Sequence, residues 1–175
     1  MRHGGPPVQP ALRLRPLVPA DQDRLWHWLH IALWDPPPAP LRPIAVLQQP
    51  GVRIYAEGWG RDGDVGVVGE WPGEPEPVGA CWMRVVPGGD GLAWVDAHTP
   101  QLGIALEPGF QRRGLGAVLM RGALDVARAQ GVAQVSLTVH PANPAIALYE
   151  RCGFVMQGLR GTYHLMLARL GKPPR

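Results

Sequence analysis

The run Gln111-Arg112-Arg113-Gly114-Leu115-Gly116 brings together the residue types that hold an anion. Gly114 and Gly116 carry no side chains, so the backbone there can approach a ligand closely, and Arg112 and Arg113 add donors suited to phosphate oxygens. Leu115, Val118, Leu119, Gly122 and Val126 then recur at helical spacing. The first-turn N–H groups of that helix, at Leu115, Gly116 and Ala117, have no intrahelical partners and point outward with the positive end of the helix dipole behind them. Such a loop is a phosphate cradle. It is not a Walker A loop, because no Lys-Ser/Thr pair follows Gly114, and it is not a dinucleotide fingerprint, because Leu119 stands where a small residue is required. The alternative is a solvated arginine pair on a glycine-punctuated strand-to-helix loop.

The elements around the cradle narrow the choice. Leu102 to Leu106 is a strand, closed by a Pro108-Gly109 turn. Downstream, Val135 to Phe154 predicts a buried strand to Val139, a break at His140-Pro141, and a helix from about Asn143 with Ala145, Leu148, Tyr149 and Cys152 on one face. Strand, Q-x-x-G-x-G loop, helix, strand and N-P-A-x-x-L-Y-E-x-x-G-F, in this order, closely resemble the GNAT superfamily of N-acetyltransferases. The pair of motifs is far more specific than either alone, and the rest of the chain fits the family's layout without a further motif of that strength.

The resemblance implies an α/β fold, with a mixed central sheet of about seven strands, helices on both faces and a splay between strands 4 and 5. In such a fold the pantetheine arm of acetyl-CoA lies in the gap like an added strand, against the backbone of Ile104, Ala105 and Leu106. Tyr149 aligns with the family tyrosine that protonates the leaving coenzyme A thiolate, although helical period alone would make it a core residue. Where some members carry a glutamate as base, this chain has Thr138; Glu107 and His140 are the substitutes, and each could equally be a solvated strand end or a loop histidine. Asn143 is suggested as a coenzyme A contact, and capping the following helix suits it equally well.

Composition sets broader limits. With 175 residues, the chain predicts one domain over 11–170, preceded by a flexible arm at 1–10 and followed by a tail at 171–175. Gly (23) and Pro (21) are frequent enough to raise disorder, but 46% apolar residues in helix and strand periods outweigh it. A net charge of +3 is too mild and scattered for a nucleic-acid partner and suits an anionic cosubstrate. Cys81 and Cys152 give neither metal-ligand spacing nor a disulfide framework. No apolar run suggests a signal peptide or membrane span, so a cytoplasmic protein without membrane association is expected, as monomer or homodimer.

Taken in order, Leu12 to Leu17 predicts a first strand, and Pro19, Asp21 and Asp23 start a helix with Leu25, Trp28, Leu29 and Ala32 as its stripe, ended by Asp35-Pro36-Pro37-Pro38. Two short helical pieces are expected between Leu41 and Trp59. A hairpin of Asp64–Glu70 and Val78–Val86 follows, then a loop to Pro100. After Phe154 a strand to about Gln157, a turn at Gly158–Gly161 and a strand Thr162–Ala168 end the sheet. All seven tryptophans precede residue 95, and the segment Tyr55–Arg61 is the expected wall of an acceptor pocket.

The function expected from the resemblance is direct acetyl transfer from acetyl-CoA to a small-molecule or protein amine in a ternary complex. No Cys or Ser-His pair is placed for a covalent intermediate. Two rivals are a non-catalytic acyl-CoA sensor of the same fold, favoured by Thr138, and an α/β domain that binds a protein partner.

Overall fold

The computed structural model describes residues 10–171. The arm expected at 1–10 lies outside the described residues except for Pro10, and so does the tail beyond Gly171. The strands are β1 (Arg13–Pro16), β2 (Val65–Glu70), β3 (Gly79–Arg84), β4 (Gln101–Leu106), β5 (Gln134–Val139), β6 (Phe154–Arg160) and β7 (Tyr163–Arg169). They form one seven-stranded sheet in the order β1-β2-β3-β4-β5-β7-β6. Every neighbouring pair is antiparallel except β4 and β5.

Helices cover both faces, so the central strands are apolar on both sides and β3 is buried at every position. On one face Cys81, Met83 and Leu102 pack beneath α3 (Leu115–Ala129), joined by Tyr149 of α4 (Ile146–Arg151). On the other, Ala80, Trp82 and Ala105 pack beneath Leu25, Trp28 and Leu29 of α1 (Gln22–Ala32). Alternate residues of β3 therefore serve opposite cores, as the period of a strand requires. A short α2 (Pro50–Arg53) follows a single 3-10 turn at Ile44–Gln48. Among the described residues no helix is long and apolar enough to cross a membrane.

Three details depart from expectation. Val118 and Val126 of α3 are exposed, and the buried face instead runs through Leu119, Met120, Ala123, Leu124 and Ala127. The helix lies flat on the sheet and is turned so that Gly122 meets β1, where any β-carbon would overlap Leu14. Gly158 is not a turn residue: β6 runs through it to Arg160, with a register shift between Met156 and Gly158 that bends the strand. α4 starts at Ile146, three residues after Asn143.

Candidate active site

β4 and β5 share a single register pair, Gln101↔Ser136, and then part. β3 satisfies one edge of β4 along its whole length and β7 does the same for β5, so each strand is held apart on its outer side. The space between them opens into a cleft of about 270 Å³, lined from β4 by Leu102, Gly103 and Ile104 and from β5 by Leu137, Thr138 and Val139. Gly103 is required here because the Trp82 ring lies across it; a β-carbon would be 2.7 Å from Trp82 Cζ2.

Of the three strand residues assigned to pantetheine, Ile104 lines the cleft. Ala105 is buried in the core beneath α1, and the carbonyl of Leu106 accepts a hydrogen bond from Gln111 Nε2 at 2.9 Å. That bond ties the first residue of the cradle to the end of β4. The chain then turns through Arg112 (φ 62°) and Gly114 (φ 77°), both left-handed, and enters α3 at Leu115. Gly114 is exposed, and a β-carbon there would meet nothing within 4 Å. The Arg113 guanidinium lies over the Phe110 ring, 5.2 Å from its centroid, while Arg112 is exposed. Leu115 is buried, Gly116 packs against Leu148, and Ala117 is half-buried. The loop thus offers an open, positively charged surface at a helix N-terminus, whose donors suit the phosphates of coenzyme A.

Tyr149 lines the cleft from below, packed edge-on against Phe154 with ring centroids 6.2 Å apart. Burial, and after it the neighbouring Cys81, raises its phenol above the usual range, so the hydroxyl keeps its proton at any working pH. Burial likewise pushes up the thiols of Cys81 and Cys152, which keeps them protonated and unreactive.

The two substitutes for a base are placed apart. Glu107 lies outside the cleft lining and is bonded to His27, with Nε2 to Oε1 at 2.8 Å. His140 is in the lining, its ring edge-on to Trp34 (5.6 Å) and Tyr163 (6.0 Å). Its Nδ1 accepts the N–H of Ala142 at 3.0 Å, so the neutral ring carries its proton on Nε2 and presents a donor there. Asn143 also lines the cleft, while its Oδ1 accepts the Ala145 N–H at 2.9 Å and so turns the chain into α4.

The far wall differs from the segment expected. Within Tyr55–Arg61 only Tyr55 reaches the cleft; Trp59 is a core residue whose Nε1 donates to the Leu17 carbonyl at 3.0 Å. The wall also includes Trp34, Arg42, Leu92 and Tyr163. Arg42 holds Asp35 through Nε (2.7 Å) and Nη2 (2.9 Å) and also donates to the Tyr163 hydroxyl at 3.0 Å. This Arg42 contact lowers the Asp35 carboxyl below its ordinary range. Tyr163 lies 121 residues from Arg42, so no local sequence signal pairs them.

An open mixed sheet split between its central parallel strands, with a glycine cradle at the head of one flanking helix, defines a class of acyl-carrier-binding folds. The family model described as the acetyltransferase (GNAT) family matches residues 26–154, and the chain belongs to that family. The streptothricin acetyltransferase of Streptomyces lavendulae is 34% identical over 118 residues, which is 63% of this chain and 60% of that protein. The chain thus matches less than two thirds of that relative's length. In fold it is similar to the ribosomal-protein-S18-alanine N-acetyltransferase of Escherichia coli (TM-score 0.63, 20% identity, covering 92% of this chain and 95% of that one). It is also similar to a PaiA N-acetyltransferase from Thermoplasma acidophilum in complex with coenzyme A (TM-score 0.60, 13% identity, 91% and 99%).

Proposed function

We propose that this protein is an N-acetyltransferase that passes the acetyl group of acetyl-CoA directly to an amine bound beside it. The observation that carries this reading is the cleft between β4 and β5 with the protonated Tyr149 phenol in its lining. The named activities of the relatives and the coenzyme A bound to the Thermoplasma protein support it.

In this reading Gln111 to Ala117 would hold the phosphates through backbone N–H groups and the two arginines. The pantetheine arm would pair with the free edge of β4 near Ile104, Ala105 and Leu106, placing the thioester deep in the cleft. Asn143 would contact the coenzyme from the other wall. The neutral amine attacks the carbonyl carbon, the C–S bond breaks with its electron pair going to sulfur, and the nitrogen sheds one proton. Tyr149 donates to the sulfur as charge develops there. Glu107, bonded to His27 outside the lining, and His140, whose Nδ1 is taken by the Ala142 N–H, would receive that proton only by way of water.

A sensor that binds acyl-CoA without turnover is the second reading, favoured because no Asp or Glu is among the described residues lining the cleft. Coenzyme A should raise the melting temperature under either reading, since it binds the native state selectively. Gly114→Val should abolish that shift by shielding the exposed backbone and straining its left-handed conformation (φ 77°). Release of free thiol from acetyl-CoA in the presence of amines, above the rate without them, separates enzyme from sensor. An unchanged coenzyme A shift in folded Gly114→Val would reject the cradle.

A further inference from the structure

The acceptor side of the cleft combines a mostly apolar and aromatic surface with a few polar groups, Arg42, Thr138, His140 and Asn143. Leu29, Leu33, Trp34, Tyr55, Leu92 and Tyr163 supply flat and aliphatic surface, and the whole cleft, which must also take the thioester end of the coenzyme, is only about 270 Å³, below the ~300–1,000 Å³ typical of sites for drug-sized ligands. Its one fixed charge is the Arg42 guanidinium. Among the described residues the carboxylate bonded to Arg42 is that of Asp35, engaged through both oxygens. A cationic acceptor would therefore lose its hydration where the Arg42–Asp35 pair is already satisfied, and find no free carboxylate among the described lining residues.

A proton acceptor is equally lacking inside. Glu107 is outside the lining and bonded to His27. His140 has its Nδ1 lone pair committed to the Ala142 N–H, so its Nε2 donates. The titratable and charged groups around that ring are Asp35, Arg42, Tyr149 and Tyr163, of which Asp35 is bound to Arg42, the Tyr163 hydroxyl accepts from Arg42, and the buried Tyr149 phenol keeps its proton. An amine must then arrive already neutral. With a pKa of about 10.4, only about one lysine-type amine in a thousand is neutral near pH 7.4, whereas an arylamine is neutral throughout.

We propose that the acceptor is a small, weakly basic amine carried on a flat apolar body, of the arylamine or arylhydrazine type, and not a polyamine or a lysine side chain. This rests on the acetyltransferase reading of the cleft. The amine nitrogen attacks as the free base, so the proton lost after attack leaves from a strongly acidic tetrahedral nitrogen and can pass to water.

The test measures kcat/KM by thiol release for p-toluidine, phenylhydrazine, spermidine and an Nα-acetyl-lysine amide between about pH 6.5 and 9, each against an enzyme-free blank. The aromatic pair should lead at neutral pH with a flat profile, and the aliphatic amines should gain about tenfold per pH unit, tracking their own neutral fraction. Leu33→Asp should move the ratio toward spermidine by tenfold or more. Turnover of spermidine or the lysine amide at neutral pH above both aromatic amines, or a flat profile for either, overturns the proposal while leaving acetyl transfer intact. Coenzyme A stabilisation without thiol release from the aromatic pair also overturns it. Absence of both stabilisation and release removes the acetyltransferase reading itself. An unchanged ratio in folded Leu33→Asp counts against this lining as the acceptor site.

Discussion

A β-carbon on Gly116 would stand 3.0 Å from Cδ2 of Leu148, so the first turn of α3 and the middle of α4 are in contact with no space between them. Leu148 precedes Tyr149, and the cradle and the phenol are therefore braced against each other. Gly116→Ala should be absorbed by a small shift of Leu148, but Gly116→Val should cost about 1–3 kcal/mol through overpacking. Because the strain pushes on α4, kcat should fall more than coenzyme A affinity. Urea unfolding with steady-state kinetics checks this; a Val variant as stable as wild type would mean the helices separate freely.

Tyr149→Phe tests the phenol alone. The ring keeps its packing against Phe154, and no hydrogen bond contributes to the state of the hydroxyl, so stability should change by less than about 1 kcal/mol. Acetyl-CoA affinity should persist, since the cradle belongs to a different helix. Turnover should fall by roughly 10²- to 10⁴-fold, and less with a more acidic leaving thiol. Full kcat under rate-limiting chemistry would make Tyr149 a packing residue.

Asp21 is buried and receives both guanidinium nitrogens of Arg15 at 2.8 Å, together with the Val18 N–H at 3.0 Å. The Arg15 hydrogen bonds hold its carboxyl below the ordinary range, against the opposing effect of burial. A folded-state value below the unfolded one adds stability above the unfolded pKa of about 3.9, and that stability disappears as pH falls through the folded value. Asp21→Asn should therefore cost about 1–3 kcal/mol at neutral pH and progressively less in acid. Parallel denaturation curves at every pH would show that the charge contributes nothing.

Arg84 is buried on β3 and bonded to Asp64 through Nε (3.0 Å) and Nη2 (2.6 Å). It also donates to the carbonyls of Ile54, Glu57 and Gly58, on either side of the cleft residue Tyr55. Arg84→Met would strand Asp64 and those carbonyls, at a cost of about 3–5 kcal/mol. Arg84→Met/Asp64→Leu should recover part of the loss, which a double-mutant cycle measures. Full additivity of the two single losses would refute the coupling.

Local pattern was enough for most of the elements and for the glycine loop that leads into α3, because both depend on near neighbours in the chain. The α1 stripe at Leu25, Trp28 and Leu29, the hairpin of β2 and β3, and the donor-and-glycine loop at 111–116 all follow from spacing and backbone chemistry within a few residues. The family resemblance that the two motifs carry implied a sheet split between its fourth and fifth strands, and the single pair Gln101↔Ser136 agrees with it. Tertiary packing decided which face of α3 is buried, because helical period permits several adjacent stripes and packing against β2, β3 and β4, with the close approach of Leu14 to Gly122, selects one. It also decided that Glu107 meets His27, that His140 lies between Trp34 and Tyr163, and that Trp59 belongs to the core while Trp34 faces the cleft. Glu107 and His27 are 80 residues apart and Arg42 and Tyr163 are 121 apart, and pairings at that range come from how the sheet and helices close on each other, which no local spacing encodes.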